Sequence, residues 1–195
     1  MNLKKAVLLA VAAIAALALL AVPVSASASV WKKEGVALKE KTEFKTTGGE
    51  VIEVNGGVLL CEGGMTMTTE GGSTASVTAY NMTKTSCTGL AGNLVGCTVS
   101  SVAASGLPWS VTVNTSDLTV KGAKVNYTFA GGCAVGKIET SFAEMKLVPE
   151  PEPSAISGFH FSTSGSAQVD GKAATLGWTG SFSLPESQAG KYGIG

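Results

Sequence analysis

Apolar and polar residues alternate with a period of two along most of this chain. Trp109, Val111 and Val113 alternate with Ser110, Thr112 and Asn114. Val125, Tyr127 and Phe129 alternate with Lys124, Asn126 and Thr128, and Met65 and Met67 with Thr66 and Thr68. Leu176, Trp178, Phe182 and Leu184 share one parity, with Gly180 between them. Successive side chains of a strand point to opposite faces. Each run therefore sets one face in a core and a Thr- and Ser-rich face in water. Ile138, Thr140 and Phe142 share a parity, but Met145 and Leu147 have the opposite one. A bulge near Ala143-Glu144 reconciles the two halves as one long strand.

Turn chemistry separates the runs. Asn55-Gly56 and Asp170-Gly171 are type I′ hairpin sequences. Gly pairs at 48–49, 63–64, 71–72 and 131–132 offer further positions for positive φ. The pattern predicts an all-β fold, an antiparallel β-sandwich or a partly closed barrel. Helix is scarce. Val36 to Phe44 reads as a helix or as a loop leading into a strand. Pro149-Glu150-Pro151-Glu152-Pro153 carries three prolines at alternate positions and reads as a stiff polyproline II connection on the surface. The stretch that follows it, Ser154 to Gly195, is too short to form a core of its own, so 29–195 is taken as one β domain.

Residues 1–28 have the features of a secretory signal peptide. Lys4 and Lys5 precede an uninterrupted apolar run from Ala6 to Val22. Pro23 breaks the run, and Val24-Ser25-Ala26 and Ala26-Ser27-Ala28 are small-x-small cleavage sequences. The expected location is secreted or at the cell surface, with no stable membrane span after cleavage. No later stretch is long and apolar enough to span. Cleavage after Ala28 removes Lys4 and Lys5, so 12 of the 14 Lys face 14 acids and the net charge is near −2. Export also exposes Cys61, Cys87, Cys97 and Cys133 to an oxidising environment. Their spacings of 26, 10 and 36 residues hold no CxxC pair, so two disulfides are expected rather than a metal site. Three connectivities are open. Cys87–Cys97 with Cys61–Cys133 is preferred, because the first closes the short Gly-rich loop from Thr88 to Gly96.

The charge inventory narrows the function classes. The chain has no Arg and one His, and only Asp117 and Asp170 of its 14 acids are Asp. A neutral chain without Arg offers no basic footprint for nucleic acid and no bidentate phosphate clamp. No cofactor motif is present. His160 lies in Phe159-His160-Phe161, and alternation turns it away from the face that holds the two phenyl rings. No GxSxG elbow occurs in the mature chain. Glu50, Glu53, Glu62 and Glu70 lie close in sequence and supply the only argument for a carboxylate pair. Trp109, after Leu107-Pro108 at a strand start, reads as a core anchor. Trp31, Trp178 and Tyr192 are the candidate aromatic platform if the protein binds sugars.

Several of these features occur together elsewhere. The signal peptide is followed by Trp31, Gly35 and Leu38. A strand then ends in Leu60-Cys61, a Gly/Thr-rich stretch leads to Cys87 and Cys97, and Leu107-Pro108-Trp109 precedes Cys133. This layout resembles a group of secreted proteins of unknown function abundant in some soil actinobacteria. The resemblance implies an exported bacterial β-protein and carries no activity to transfer. The antibiotic-carrier apoproteins of the neocarzinostatin type are similar in being small, secreted and stapled by a short disulfide loop, but they are much shorter and lack a counterpart of Cys61 and Cys133. The reading is a non-enzymatic binding or structural module of the exterior or cell envelope, with a cell-wall glycan or a protein as partner. The alternatives are a secreted hydrolase using a carboxylate pair and a carrier of a small hydrophobic ligand.

Overall fold

The computed structural model describes residues 28–195, so the signal-peptide reading lies outside the described residues. The strands are β1 (Trp31–Lys33), β2 (Val36–Ala37), β3 (Thr42–Val54), β4 (Gly57–Thr69), β5 (Thr74–Met82), β6 (Thr88–Ala91), β7 (Val99–Ser105), β8 (Trp109–Val113), β9 (Leu118–Phe129), β10 (Lys137–Glu152), β11 (Ala155–Val169), β12 (Lys172–Ser183) and β13 (Tyr192–Ile194). Single 3₁₀ turns cover Lys84–Ser86 and Gly92–Leu94. No helix among the described residues is long and apolar enough to cross a membrane. Val36 to Phe44 contains no helix: β2, a short loop and the start of β3 occupy it.

Every pairing is antiparallel. The hydrogen-bonded order runs β10-β9-β8-β5-β4-β3-β12-β11, and β11 pairs back onto β10. The sheet therefore curls round one core and is partly closed. Its closure is interrupted on one side. β10 meets β11 from Ile138 to Ser141 and again from Val148 to Glu152, with the register shifted by one residue between. The shift has the cause that parity predicts. Phe142 and Met145 are both buried while Ala143 and Glu144 are both exposed, so β10 bulges at that point. β9 breaks its alternation at the same level, at Lys121-Gly122, where Gly122 has φ of 77°, and β11 carries its own extra residue further on, at Ser157, between its pairings with Glu150 and Pro151.

The hairpins form where the turn signals lie. Asn55 and Gly56 join β3 to β4 with φ of 48° and 75°, and Asp170 and Gly171 join β11 to β12 with φ of 50° and 78°. Both central residues are left-handed, as a type I′ turn requires. The Gly pairs at 48–49 and 63–64 serve a different purpose from the one expected. They lie inside β3 and β4, with Gly48 directly opposite Gly63. A Cβ on Gly48 would sit 1.9 Å from the Ser181 carbonyl oxygen, and one on Gly63 2.3 Å from that of Asn81. These positions are glycine because neighbouring backbone passes too close for any side chain, as at a sharp bend of a curled sheet.

The proline segment is also strand rather than a polyproline connection. Pro149 pairs with Phe159 and Pro151 with Ile156. Pairing of β10 with β9 has already ended at Leu147–Leu118, so from Pro149 onward β10 is an edge on that side. A residue without an N–H is tolerated there. The first and last regions of the described residues are joined: β1 lies between β2 and β13, and β13 pairs β11 at Ile156–Tyr192.

Both disulfides form, with a pairing that differs from the preferred one: Cys61 bonds Cys87, and Cys97 bonds Cys133. Register is the reason. Leu59 and Leu60 of β4 pair with Gly89 and Thr88 of β6, which carries Cys61 opposite Cys87. An isolated bridge joins Thr88 to Thr98, which sets Cys87 across from Val99 rather than Cys97. Cys97 then meets Cys133 just past the β7–β9 ladder, where the Ala130 N–H donates to the Thr98 carbonyl over 2.8 Å. Loop-closure entropy assigns each bond about 3–4 kcal/mol.

Candidate functional site

The inward parity of β3 runs through Phe44, Thr46, Glu50, Ile52 and Val54, so it carries an acid into the core. Glu50 is 1 % exposed. Three other strands meet it. Tyr80 from β5 and Trp178 from β12 donate to Glu50 Oε2, the indole Nε1 at 2.7 Å, and Tyr127 from β9 donates to Oε1 at 2.6 Å. All three donors are neutral. Burial pushes the Glu50 carboxyl above its ordinary value of 4.5, and the hydrogen bonds from Tyr127, Tyr80 and Trp178 pull the other way without cancelling it. The phenols of Tyr80 and Tyr127 are raised well above 10, first by burial and then by the acid beside them.

Aromatic rings enclose this centre. Trp178 packs on Phe142 with centroids 4.5 Å apart and on Phe161 at 5.0 Å, and Tyr80 meets Trp109 at 5.5 Å. Trp109 is the core anchor expected of it, and its indole N–H donates to the Ser105 carbonyl at 2.8 Å. The interior is thus filled by side chains at the level of Glu50. A carboxylate held by neutral donors, with no ionic partner among the described residues, locks four strands in register. It presents no open coordination and no room for substrate.

The candidate aromatic platform does not form. Trp31 and Trp178 are 0 % and 1 % exposed, and Tyr192 is buried too. Trp31 is tied down by the β1–β13 pairing and stacks on Phe44 at 4.8 Å, while Tyr192 meets the same ring edge-on. None of the three rings offers a face to a surface ligand. The carboxylate pair fails on parity. Glu50 points inward, whereas Glu53, Glu62 and Glu70 are exposed on the outer face or at a turn. Among the described residues no group of three or more His, Cys, Asp or Glu is placed to hold a metal.

The outer face carries two features that sequence reasoning did not assemble. The first is a groove of about 400 Å³ over β9, β10 and β11. Its floor consists of two register rows, Asn126–Glu139–Gln168 and Lys124–Ser141–Ser166. The second surrounds His160, which is exposed on β11 as alternation predicts, with Phe159 and Phe161 buried on the other face. Its Nδ1 lies 2.9 Å from Glu150 Oε1, and both side chains are about half exposed, at 47 % and 49 %. Glu150 stands opposite Gly158, one diagonal step from His160. On the other side of β11, His160 stands opposite Ser181 of β12. The sequence signal for this row was the acid between two prolines, which reads as a connection until Pro149 and Pro151 are placed in a strand.

No protein-family model, no curated protein and no solved structure matches the chain.

Proposed function

We propose that the protein is an exported binding or structural module that works through the outer face of its strands, with a cell-wall glycan as the partner its chemistry suits best. One observation carries this reading. The groove over β9–β11 has a floor of amide, hydroxyl and singly placed charged side chains, Asn126, Gln168, Ser141, Ser166, Lys124 and Glu139. Neutral amides and hydroxyls match the alternating donors and acceptors of a polyol. Placed on rigid strands, they give up little conformational freedom on binding. The resemblance to secreted actinobacterial proteins supports an extracellular setting. The carrier alternative loses support from the filled interior, because a small-molecule site needs a chamber of about 300 Å³ or more within the fold. The carboxylate-pair hydrolase loses support from the inward turn of Glu50 away from the other acids.

Co-sedimentation of the mature protein with insoluble peptidoglycan and a panel of polysaccharides tests the reading. Binding to at least one glycan is expected, weakened tenfold or more in Asn126→Ala/Gln168→Ala. An empty panel, or equal binding by that variant, refutes the groove as the site.

A further inference from the structure

The geometry points to a nucleophilic acyl-transfer site on the outer face, formed by Glu150, His160 and Ser181, that acts on small carboxylic esters. This goes beyond the binding reading and does not depend on it. The three residues come from three neighbouring strands in the order acid, imidazole, hydroxyl. Glu150 Oε1 lies 2.9 Å from His160 Nδ1, which sets the acid against one side of the ring and leaves Nε2 without a hydrogen-bond partner among the described residues. His160 and Ser181 are direct cross-strand partners on the same exposed face. Opposite residues of an antiparallel pair have Cβ atoms about 4.5–5.5 Å apart, so rotation about χ1 of Ser181, whose hydroxyl makes no hydrogen bond to the ring as it stands, would bring it to the imidazole.

The surroundings leave space for a substrate. Glu150, His160 and Ser183 line a groove of about 570 Å³ together with Pro149 and Gly158, and Ser181 stands outside that lining, opposite His160. Gly158 lies between Glu150 and Ser183 in the cross-strand row. It leaves that part of the floor bare, since a Cβ there would come 2.7 Å from the Phe182 carbonyl oxygen. The bare floor lets Glu150 lean diagonally onto His160.

The reaction balances within this row and water. Ser181 Oγ attacks the ester carbonyl carbon and forms the new C–O bond, and its proton passes to His160 Nε2. The tetrahedral adduct collapses, the bond to the alcohol oxygen breaks, and the departing alkoxide takes the proton from Nε2. Water then attacks the acyl-serine with Nε2 as base, releasing the carboxylic acid and restoring the Ser181 hydroxyl. The expected gain is that of base assistance alone, on the order of 10²-fold over the uncatalysed ester.

The test uses the mature, disulfide-bonded protein with diisopropyl fluorophosphate as serine label and p-nitrophenyl acetate as ester. A single phosphoryl adduct mapping to Ser181 is expected, together with ester turnover. Ser181→Ala should abolish both, and His160→Ala should slow labelling by on the order of 10²-fold. Glu150→Gln, which keeps the shape but not the charge, should cause a smaller drop in both. All three side chains are exposed, so unchanged circular dichroism and Tm should accompany each loss. A label on another serine, wild-type turnover in Ser181→Ala, or equal labelling of His160→Ala overturns the proposal.

Discussion

Glu50 and Glu150 are acids of one sheet, on opposite faces. Glu50 is enclosed by two phenols and an indole, all neutral, and its oxygens accept from three strands that are distant in sequence. Glu150 lies half in water and holds one imidazole. The contrast shows how the protein divides its polar groups. An acid inside a low-dielectric core can be kept only if both its oxygens are hydrogen-bonded, and the same arrangement makes it a strong determinant of register. An acid on the surface is stabilised by water already, so the geometry it gives His160 adds little to folding and is available for chemistry. Stability should thus concentrate at the first acid and reactivity at the second.

The sharpest way to break this division is Glu50→Leu. The substitution leaves the Tyr80 and Tyr127 hydroxyls and the Trp178 indole N–H buried without an acceptor. At about 1–3 kcal/mol for each orphaned donor, the loss should reach about 3–9 kcal/mol, a large share of the stability of a domain this size. Urea unfolding followed by tryptophan fluorescence measures it. A loss below about 1 kcal/mol, less than one orphaned donor costs, would mean the acid is not the centre that joins these strands.

Gly48→Ala comes next, because it joins the two faces. The added methyl meets the Ser181 carbonyl oxygen and the Phe182 backbone, so β12 must shift away from β3. Overpacking of this kind costs about 1–3 kcal/mol. The same shift moves the Ser181 end of the outer row. Thermal unfolding and serine labelling should therefore fall together in this variant, whereas Glu50 and Glu150 substitutions should separate them. Unchanged Tm would show that the two strands can part at no cost.

The pH response of Glu50 is the finer probe. Its folded-state value lies above 4.5, the ordinary value that the unfolded chain retains. Between the two the folded protein holds more protons than the unfolded one, so stability falls as pH rises through that window and is fully present below it. Glu50→Gln keeps an acceptor but cannot ionise. The stability of the wild type relative to Glu50→Gln should therefore increase as the solution is taken from neutral pH down to the ordinary carboxylate range. Urea midpoints at several pH values give the sign. A relative stability that falls on acidification would show that the three hydrogen bonds outweigh burial.

How much of this was legible in the sequence follows from the range of each signal. Alternation located the strands and the bulge at Ala143-Glu144, and turn chemistry the Asn55-Gly56 and Asp170-Gly171 hairpins, all of which are local. It also held the position of Glu50, which shares its parity with Phe44, Ile52 and Val54, although an acid reads as solvated until partners are known. Those partners stand 30, 77 and 128 residues away, and no local pattern joins them. The cysteine pairing depended on the register of a four-residue strand, β6, with an exposed Leu90, so loop length pointed to the wrong bond. The aromatic platform failed because Trp31, Trp178 and Tyr192 are as suited to core packing as to binding sugar, and only burial decides between the two. On the outer face, two prolines beside Glu150 masked a strand edge.

Glu150→Gln completes the comparison from the side of the surface acid. The carboxylate and its imidazole partner are each about half exposed, so water replaces most of what the substitution removes. A surface pair of this kind contributes about 0–1 kcal/mol, and the change in stability should lie at the lower end, near or below about 0.5 kcal/mol. Tm by differential scanning fluorimetry should be almost unmoved, even though the neutral amide no longer attracts the proton of an imidazolium and serine labelling declines. His160→Ala should show the same pattern with a larger loss of labelling. A loss of about 2 kcal/mol or more in Glu150→Gln, beyond what an exposed pair supplies, would instead mean that the pair clamps β10 to β11 beside the interrupted stretch of their ladder. The outer acid would then be a fastening of the sheet, as Glu50 is from within.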